Sequence, residues 1–421
     1  MRVILKGEKM PLKTEFYETA VKLGFYGLDK GNLFGKKDNI RKYWEDVFIK
    51  LFLRPYIEKI LEVKEKIRVI DMGCGSGEGF ELLTHIPKKS YEASDDEYFL
   101  LSTDQIEKYK GYDISPLMIL QGQKNYSGYN NVEFIRHDLS KGFPPQEEES
   151  FDLYFSSYSS LSHLKKGEFE ELIRQIFSHI KGRAYIVFDL FGKYSPEWPR
   201  YWGKSNEEML PYNMAYLIEP GERVSEKVET FYVAFWSAEE LRATINKISS
   251  ATGKQAKIAE MKDRSIFVGR HMDTGIFNNV PQEIRYTLNC ALDRDYRGSI
   301  KKLKIADDFL QKHDLHKDAL ERIRKYKSEW DSILNLVEAL LSSKDKIVKE
   351  LIENSSPYLS EEMKMLTWLY RNSSRFSVID FLASIFWPQV AVVLRNLEMS
   401  LPDGLGCGHG LFCIVEVNDK H

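Results

Sequence analysis

The sequence has little of what marks a secreted or disulfide-stabilised protein. Its 421 residues include four cysteines, Cys74, Cys290, Cys407 and Cys413, and their spacing matches no paired metal site. Such cysteine usage is typical of a reducing cytoplasm. The N-terminus also lacks the continuous apolar segment of a secretory signal. We therefore expect a cytoplasmic protein.

Long apolar runs and an excess of one charge are also missing. The most apolar run, residues 378–394, is interrupted by Asp380 and Pro388, which suits a buried broken helix better than a membrane span. The formal net charge is −3 and no stripe of lysine and arginine stands out, so nucleic-acid binding is disfavoured. No set of carboxylates with asparagine or histidine follows the fourth predicted strand, so we expect no metal.

The most informative segment that is present is IRVIDMGCGSGEG, residues 67–79. Its β-branched apolar run breaks into glycines at positions 73, 75 and 77. This pattern predicts a buried strand that turns sharply into a helix, with bare backbone at the turn. Such a turn is typical of a ligand-binding site.

A dinucleotide ligand does not fit this turn. Its pattern, G-x-G-x-x-G, needs a third glycine where this chain has Glu78 in one register and Phe80 in the other. A carboxylate at Glu78 would also repel a phosphate at the helix N-terminus.

Later segments extend the pattern along the chain. A second strand ends at Asp113 and is followed by a helix with Ser115 as N-cap, a third strand ends at Asp138, and a fourth strand runs into the loop 156–164. Asp113 lies farther from the glycines than the about 20 residues usual in dinucleotide-binding sheets, and we interpret residues 85–106 as a surface insertion. Asp104 is the competing acid, but it falls in an acidic run that resembles a helix.

The order of glycine turn, acid, acid and F-D-x3-S…H-L loop resembles the class I S-adenosylmethionine-dependent methyltransferases. The resemblance implies a Rossmann-like, doubly wound α/β fold with a seven-stranded sheet. It also implies S-adenosylmethionine as cofactor, with Asp113 on the ribose hydroxyls, Asp138 on the adenine amino group and the Leu139 amide on a ring nitrogen. The expected cofactor-binding residues are Asp71, Gly73, Cys74, Gly75, Gly77, Asp113, Ile114, Asp138, Leu139 and Ser156.

The loop after the fourth strand resembles the active-site loop of small-molecule N-methyltransferases. His163 is the leading candidate for a base or for a residue that orients the acceptor, and Tyr158 is the second. His163 could instead serve the fold, by capping the next helix or by bonding to backbone. Methyl transfer mainly needs alignment, and a base helps only when the acceptor arrives protonated.

Three regions are expected around this site. Residues 1–60 form an N-terminal helical cap from which Arg41 or Tyr43 could reach the cofactor carboxylate, residues 61–271 form the methyltransferase domain, and residues 272–421 form a mainly helical extension ending in a glycine turn and a strand. The catalytic sheet is expected to close with two strands, 254–260 and 264–269, around a turn at 261–263. An aromatic insertion, 192–236, is expected to cover the substrate. The expected substrate-binding residues are Trp198, Trp202, Tyr212 and His409. The aromatic rings could instead pack the insertion onto the domain, and His409 could instead be a structural histidine.

The sequence therefore predicts a methyltransferase that modifies a nitrogen or oxygen of a small molecule. One alternative keeps the fold but makes the acceptor a protein or RNA that docks on the C-terminal region. Another is a non-catalytic protein that binds the cofactor. The acceptor and the oligomeric state are not encoded in any motif that we find.

Overall fold

A computed structural model describes residues 21, 38–90, 98–144, 148–217, 228–278, 281–306 and 316–420. Its strands are β1 Ile67–Met72, β2 Ile106–Asp113, β3 Val132–Arg136, β4 Leu153–Phe155, β5 Ala184–Phe191, β6 Leu210–Asn213, β7 Thr230–Val233, β8 Gln255–Arg264 and β9 Gly410–Asn418. Seven of them form one sheet in the order β3-β2-β1-β4-β5-β9-β8, and β6 pairs with β7 in a separate hairpin. The first five strands are parallel, whereas β9 runs antiparallel to both neighbours. The expected doubly wound, Rossmann-like fold is confirmed.

Helices cover both faces of this sheet. Among the described residues the helices are α1 Asp46–Leu61, α2 Glu78–Thr84, α3 Pro116–Asn125, α4 Lys166–His179, α5 Ala238–Thr252, α6 Ile284–Leu292, α7 Lys317–Leu341, α8 Asp345–Glu353, α9 Pro357–Arg371 and α10 Trp387–Met399. Of these, α1 to α5 pack against the sheet. Side chains alternate along a strand, so Val69 of β1 packs with α1 and α2, and Ile70 belongs to the opposite core with α4 and α5. Ser115 caps α3 as expected, since its Oγ accepts a hydrogen bond of 3.3 Å from the Met118 amide.

The predicted closing pair of strands is wrong. Gln255–Arg264 is one continuous strand, and residues 261–263 continue it instead of turning. The reason is that β9 pairs with this strand from Gln255 to Arg264, so the hydrogen-bond ladder continues through the expected turn. The last strand of the chain therefore lies inside the sheet, between β5 and β8. Helices α6 to α10 form an insertion between two adjacent strands of the sheet.

The N-terminal cap and this helical insertion share one hydrophobic core. Ile40 and Trp44 are buried among residues of α6, α7 and α10, and the Trp44 ring centroid lies 6.3 Å from that of Trp330. A π-helical turn, Arg41–Glu45, precedes α1. In the apolar run near the C-terminus, Pro388 occupies the first turn of α10. Within the described ranges we find no helix that is long and apolar enough to cross a membrane.

Candidate active site

The glycine turn after β1 has a backbone that side chains would not tolerate. Gly73, Gly75 and Gly77 have φ angles of +74°, +54° and +94°, in the left-handed region that glycine adopts most easily. A Cβ on Gly73 would lie 2.4 Å from the Cβ of Ser160, which belongs to the loop after β4. The turn thus brings that loop into contact with the end of β1.

Asp71 lies beneath this turn. It is buried, and its Oδ2 accepts a hydrogen bond of 2.5 Å from the Tyr109 hydroxyl. A Cβ on Gly79 would lie 2.1 Å from the same oxygen, so α2 approaches β1 closely here. Burial raises the pKa of Asp71 to about 7. Cys74 and Ser156 are buried as well, and the Ser156 hydroxyl donates to the Met72 carbonyl at 2.8 Å.

The acid at the end of β2 is joined to the turn. Asp113 accepts a hydrogen bond of 2.9 Å from the Gly75 amide through Oδ2 and another of 2.9 Å from the Ser115 amide through Oδ1. Burial raises its pKa, while these amides oppose the shift. Each carboxylate oxygen can accept a second hydrogen bond, so Asp113 has the capacity to accept from the two ribose hydroxyls of a nucleoside ligand. Ile114 beside it is exposed, and Asp104 is exposed in a separate 3₁₀ turn, Thr103–Gln105.

The acid after β3 is half-buried. Asp138 Oδ1 accepts from the Ser140 amide at 3.1 Å and from the Ser140 hydroxyl at 2.7 Å. The following 3₁₀ turn, Leu139–Lys141, begins at the edge where β1 and β2 also end. The structure thus brings Gly73, Gly75, Asp113 and Asp138 to one edge of the sheet, as a ligand spanning successive strand ends requires.

The loop after β4 is strained and firmly anchored. Tyr158 and Ser159 have φ angles of +53° and +62°, an arrangement that costs non-glycine residues about 1–3 kcal/mol each and is found mainly at functional sites. The Tyr158 amide donates to Asp189 Oδ2 at 2.9 Å, and the Ser160 hydroxyl donates to the Gly73 carbonyl at 3.0 Å. The loop is thereby tied to the ends of β1 and β5.

The N-terminal cap contacts this loop through Tyr158. The Tyr158 hydroxyl donates to Asp46, and the Arg41 guanidinium lies 3.8 Å from the centre of the Tyr158 ring. Arg41 also pairs with Glu78 at 2.5 Å, next to the glycine turn. Burial raises the pKa of Tyr158, so the phenol remains protonated. Of the two cap residues expected to reach the cofactor, Arg41 faces the site and Tyr43 is half-exposed at the surface.

His163 lies in the 3₁₀ helix Ser160–His163, against the aromatic insertion. Its ring stacks on Phe231 with a centroid distance of 5.2 Å and an interplanar angle of 24°. Burial lowers its pKa to about 4, so the imidazole is neutral at physiological pH.

The aromatic insertion has its own compact core. Trp198 and Tyr212 belong to this core, whereas Trp202 is buried in the core that the cap shares with the helical insertion. The indole N–H groups of Trp198 and Trp202 donate to the Gly192 and Ser195 carbonyls at 2.8 and 3.0 Å. The aromatic cluster consists of Phe191, Trp198, Tyr201, Leu210, Tyr212, Met214, Phe231, Val233, Phe235 and Phe277. A surface pocket of about 730 Å³ is lined in part by Tyr232. Side chains alternate along β7, and Phe231 faces the His163 ring, so Tyr232 and this pocket lie on the other side of the strand.

A buried ionic network, which sequence patterns did not indicate, supports the loop from below. Glu45 is fully buried and lies 3.0 to 3.3 Å from guanidinium nitrogens of Arg285, Arg270 and Arg264. Although burial opposes it, these arginines hold the pKa of Glu45 well below its usual range. Arg264 also pairs with Asp189 at 2.7 Å. The only available signal was the position of Asp189 at the end of a strand.

The second glycine-rich turn, residues 404–410 leading into β9, binds a side chain of the protein itself. The carboxylate of Asp263 accepts hydrogen bonds of 2.7 to 2.9 Å from the amides of Leu405, Gly406 and Cys407. A side chain of the protein therefore occupies the amides that a phosphate would need. His409, two residues after Cys407, is buried and contacts Glu197. The part of the chain that the structure describes has no group of three or more metal-ligating side chains.

Comparisons with known proteins agree with this geometry. Residues 69–182 match the family model of a methyltransferase domain. The comparison with curated proteins finds no match. The chain carries a methyltransferase domain with the class I, Rossmann-like fold.

Solved structures show weak similarity to the chain. A methyltransferase from Clostridium acetobutylicum is 14% identical over 53% of this chain and 83% of that one, with a TM-score of 0.35. A TehB-like methyltransferase from Corynebacterium glutamicum is 14% identical over 49% and 75%, with a TM-score of 0.27. The amino pentose methyltransferase CalS10 from Micromonospora echinaspora is 12% identical over 60% and 94%, with a TM-score of 0.32. These values are too low to inform the acceptor.

Proposed function

We propose that this protein transfers the methyl group of S-adenosylmethionine to a nitrogen or oxygen of a small molecule. The observation that carries the proposal is that aromatic side chains and the cap pack around the loop after β4. The aromatic cluster of the insertion covers the end of β5, and the cap reaches Tyr158 from the other direction. An enclosed aromatic environment suits a small acceptor better than a macromolecule.

We assign the cofactor to the edge formed by the glycine turn, Asp113 and Asp138. Asp113 would hold the ribose hydroxyls, Asp138 and the Leu139 amide the adenine, and exposed Ile114 would pack on the adenine face. Asp71, Cys74 and Ser156 would act from beneath the turn by fixing its shape. The sulfonium of the bound cofactor supplies the methyl group.

We assign the acceptor to the side bordered by Tyr158 and His163. Neutral His163 can orient an acceptor by hydrogen bonding, and Tyr158 would position the loop against the cap. Trp198, Trp202 and Tyr212 would support the acceptor site as packed walls rather than by direct polar contact, because their donors already have partners or they lie in the cluster core. We further propose a cytoplasmic location, in keeping with four free thiols.

A macromolecular acceptor is the second candidate. Trp368 and Ile379 are exposed large apolar side chains on the helical insertion, where a protein could dock. The test is transfer of tritiated methyl groups from S-adenosylmethionine to a cell extract split by ultrafiltration. We expect label in the small-molecule fraction. Label confined to the retained macromolecules would favour the second candidate, and label in neither would contradict methyltransferase activity towards both.

A further inference from the structure

A buried histidine and glutamate stand at the edge of the sheet where the cofactor-binding strands end. Gly410 of β9 pairs with Phe191 of β5, so His409 lies just beyond the C-terminal end of β5. The parallel strands β1 and β4 end at this same edge, in the glycine turn and in the Tyr158 loop. His409 is therefore on the side of the sheet where the chemistry takes place.

The contact between the two side chains defines the state of the imidazole. His409 Nδ1 lies 2.6 Å from Glu197 Oε1, and both residues are buried. Burial would raise the pKa of Glu197, but the neighbouring His409 and the His271 amide lower it, so the carboxylate is ionised. An ionised carboxylate only accepts hydrogen bonds, which places a proton on Nδ1, so the neutral form of this imidazole has its lone pair on Nε2.

The surrounding backbone fixes both partners. Glu197 Oε2 accepts a hydrogen bond of 2.5 Å from the His271 amide, and a Cβ on Gly269 would lie 2.2 Å from Oε1. His409 donates its amide to the Ser265 carbonyl and accepts from the Gly192 amide, both at 3.2 Å. The pair is thus held in one geometry before any ligand binds, which is what a catalytic group requires.

The environment of the pair is aromatic and charged. The imidazole of His409 lies 5.3 Å from Phe191 and 5.6 Å from Trp198, both members of the aromatic cluster that His163 borders through Phe231. Other titratable groups around His409 are Glu45, Asp189, Arg264 and His271. Asp189 and Arg264 are paired with each other, whereas Glu197 is the carboxylate that contacts the imidazole.

We propose that His409, positioned by Glu197, accepts the proton that the acceptor nitrogen or oxygen loses on methylation. This inference rests on the proposed function. The acceptor lone pair forms the new bond to the methyl carbon as the carbon–sulfur bond breaks, and the bond electrons remain on sulfur as a thioether. The acceptor proton moves to Nε2, and the resulting imidazolium is stabilised by the Glu197 carboxylate before it releases the proton to water.

The first test compares methyl transfer by His409→Asn, Glu197→Gln and the control His179→Gln, with the small-molecule fraction of the extract as the source of acceptor. Asn keeps a donor for Glu197 but lacks Nε2, so we expect turnover to fall by about 10²-fold or more with the KM for S-adenosylmethionine unchanged. Glu197 accepts from His409 and from the His271 amide through its two oxygens. Gln has one oxygen and one NH₂ group and cannot accept both bonds, so we expect a similar loss of turnover. We also expect the acid limb of its pH profile to move to lower pH. The His179 ring lies at the C-terminal end of α4, where it contacts the Tyr154 hydroxyl and the Glu148 carbonyl. This histidine is outside the site, so the control should stay within about threefold of wild type.

The second readout needs no acceptor. Nitrogen NMR of the histidine rings in the complex with S-adenosylhomocysteine should show His409 protonated at Nδ1 and unprotonated at Nε2 at neutral pH. A proton on Nε2 with Nδ1 bare would overturn the proposal, as would full turnover by His409→Asn. If wild type labels the acceptor fraction while His409→Asn matches it, only the role of His409 is wrong. If wild type labels nothing, the proposed function fails, and the role of His409 fails with it.

Discussion

The donor side and the acceptor side of this active site are built by different means. On the donor side, Gly75 and Asp113 meet through a backbone amide at the ends of neighbouring strands. On the acceptor side, Glu45, Asp189 and Arg264 come from distant parts of the chain and meet as buried ions. Local turns thus shape the proposed donor side, whereas tertiary packing shapes the proposed acceptor side.

This difference has a consequence for mutation. A donor-side acid at a strand end can be removed with loss of cofactor affinity while the fold persists. An acceptor-side ion cannot be removed without leaving an opposite charge buried, so its loss destabilises the whole protein. The predictions below test this contrast, beginning with the largest expected effect.

Asp189→Ala should show the acceptor-side behaviour most strongly. It removes the partner of Arg264 and the acceptor for the Tyr158 amide, so we expect the free energy of unfolding to fall by about 3–5 kcal/mol. Urea denaturation measures the change. Asp345→Asn, which breaks an exposed pair with Arg371, is the matched control and should cost less than about 1 kcal/mol. Equal effects in the two variants would remove the distinction.

Asp71→Asn tests the residue beneath the donor turn through pH. The pKa of Asp71 is raised to about 7 in the folded protein, so its contribution to stability is present at low pH and is lost as pH rises towards 7. Asn carries no charge at any pH and can still accept from Tyr109. Relative to wild type, the variant should therefore gain about 2–4 kcal/mol between pH 4 and pH 7.5. A difference that stays constant with pH in urea titrations would mean that Asp71 is not neutralised by burial.

Asp113→Ala should weaken the donor side without unfolding it. Hydrogen bonds to a carboxylate are worth about 1.5–3 kcal/mol, so we expect the Kd for S-adenosylhomocysteine to rise about 10- to 100-fold. Asp104→Ala, which changes the competing acid, should leave the Kd unchanged because Asp104 is exposed in a separate turn. Calorimetry of both variants checks the assignment, and a larger loss in Asp104→Ala would reverse it.

Asp138→Ala is expected to have the smallest effect. Its carboxylate would accept a single hydrogen bond, whereas Asp113 would accept two, so we expect the low end of the range for bonds to a carboxylate, about 1.5 kcal/mol, and a Kd raised about tenfold. The analogue of S-adenosylhomocysteine with inosine in place of adenosine lacks that amino group, so it should bind wild type and the variant with nearly the same Kd. If the variant still favours the adenine form as wild type does, Asp138 does not contact the adenine.

The contrast also explains what the sequence reveals. Gly73, Gly75 and Asp113 follow strands directly, so their positions at one edge of the sheet could be predicted from strand order. The continuous strand β8 could not, because its length depends on β9, which is distant in the chain. Residues 254–269 have local turn signals that favour two strands, whereas the pairing with β9 that makes Gln255–Arg264 one strand depends on residues distant in the chain.

The acceptor side escaped prediction for the same physical reason. Glu45 sits in a helical turn and Arg264 at the end of a strand, and neither position has a pattern that indicates burial as an ion. Glu197 lies in an aromatic segment where it resembles a surface charge, although the structure buries it completely. His409 was expected near the substrate, but its partner could not be read from spacing.

Calorimetric titration of the protein with S-adenosylhomocysteine tests the central claim most directly, because the glycine turn was assigned to a methyl donor and not to a dinucleotide. We expect one saturable site per chain, weakened in Asp113→Ala and retained in Asp104→Ala, with no binding of NAD at the same concentrations. Absence of binding to S-adenosylhomocysteine, or binding of NAD in its place, would contradict the account.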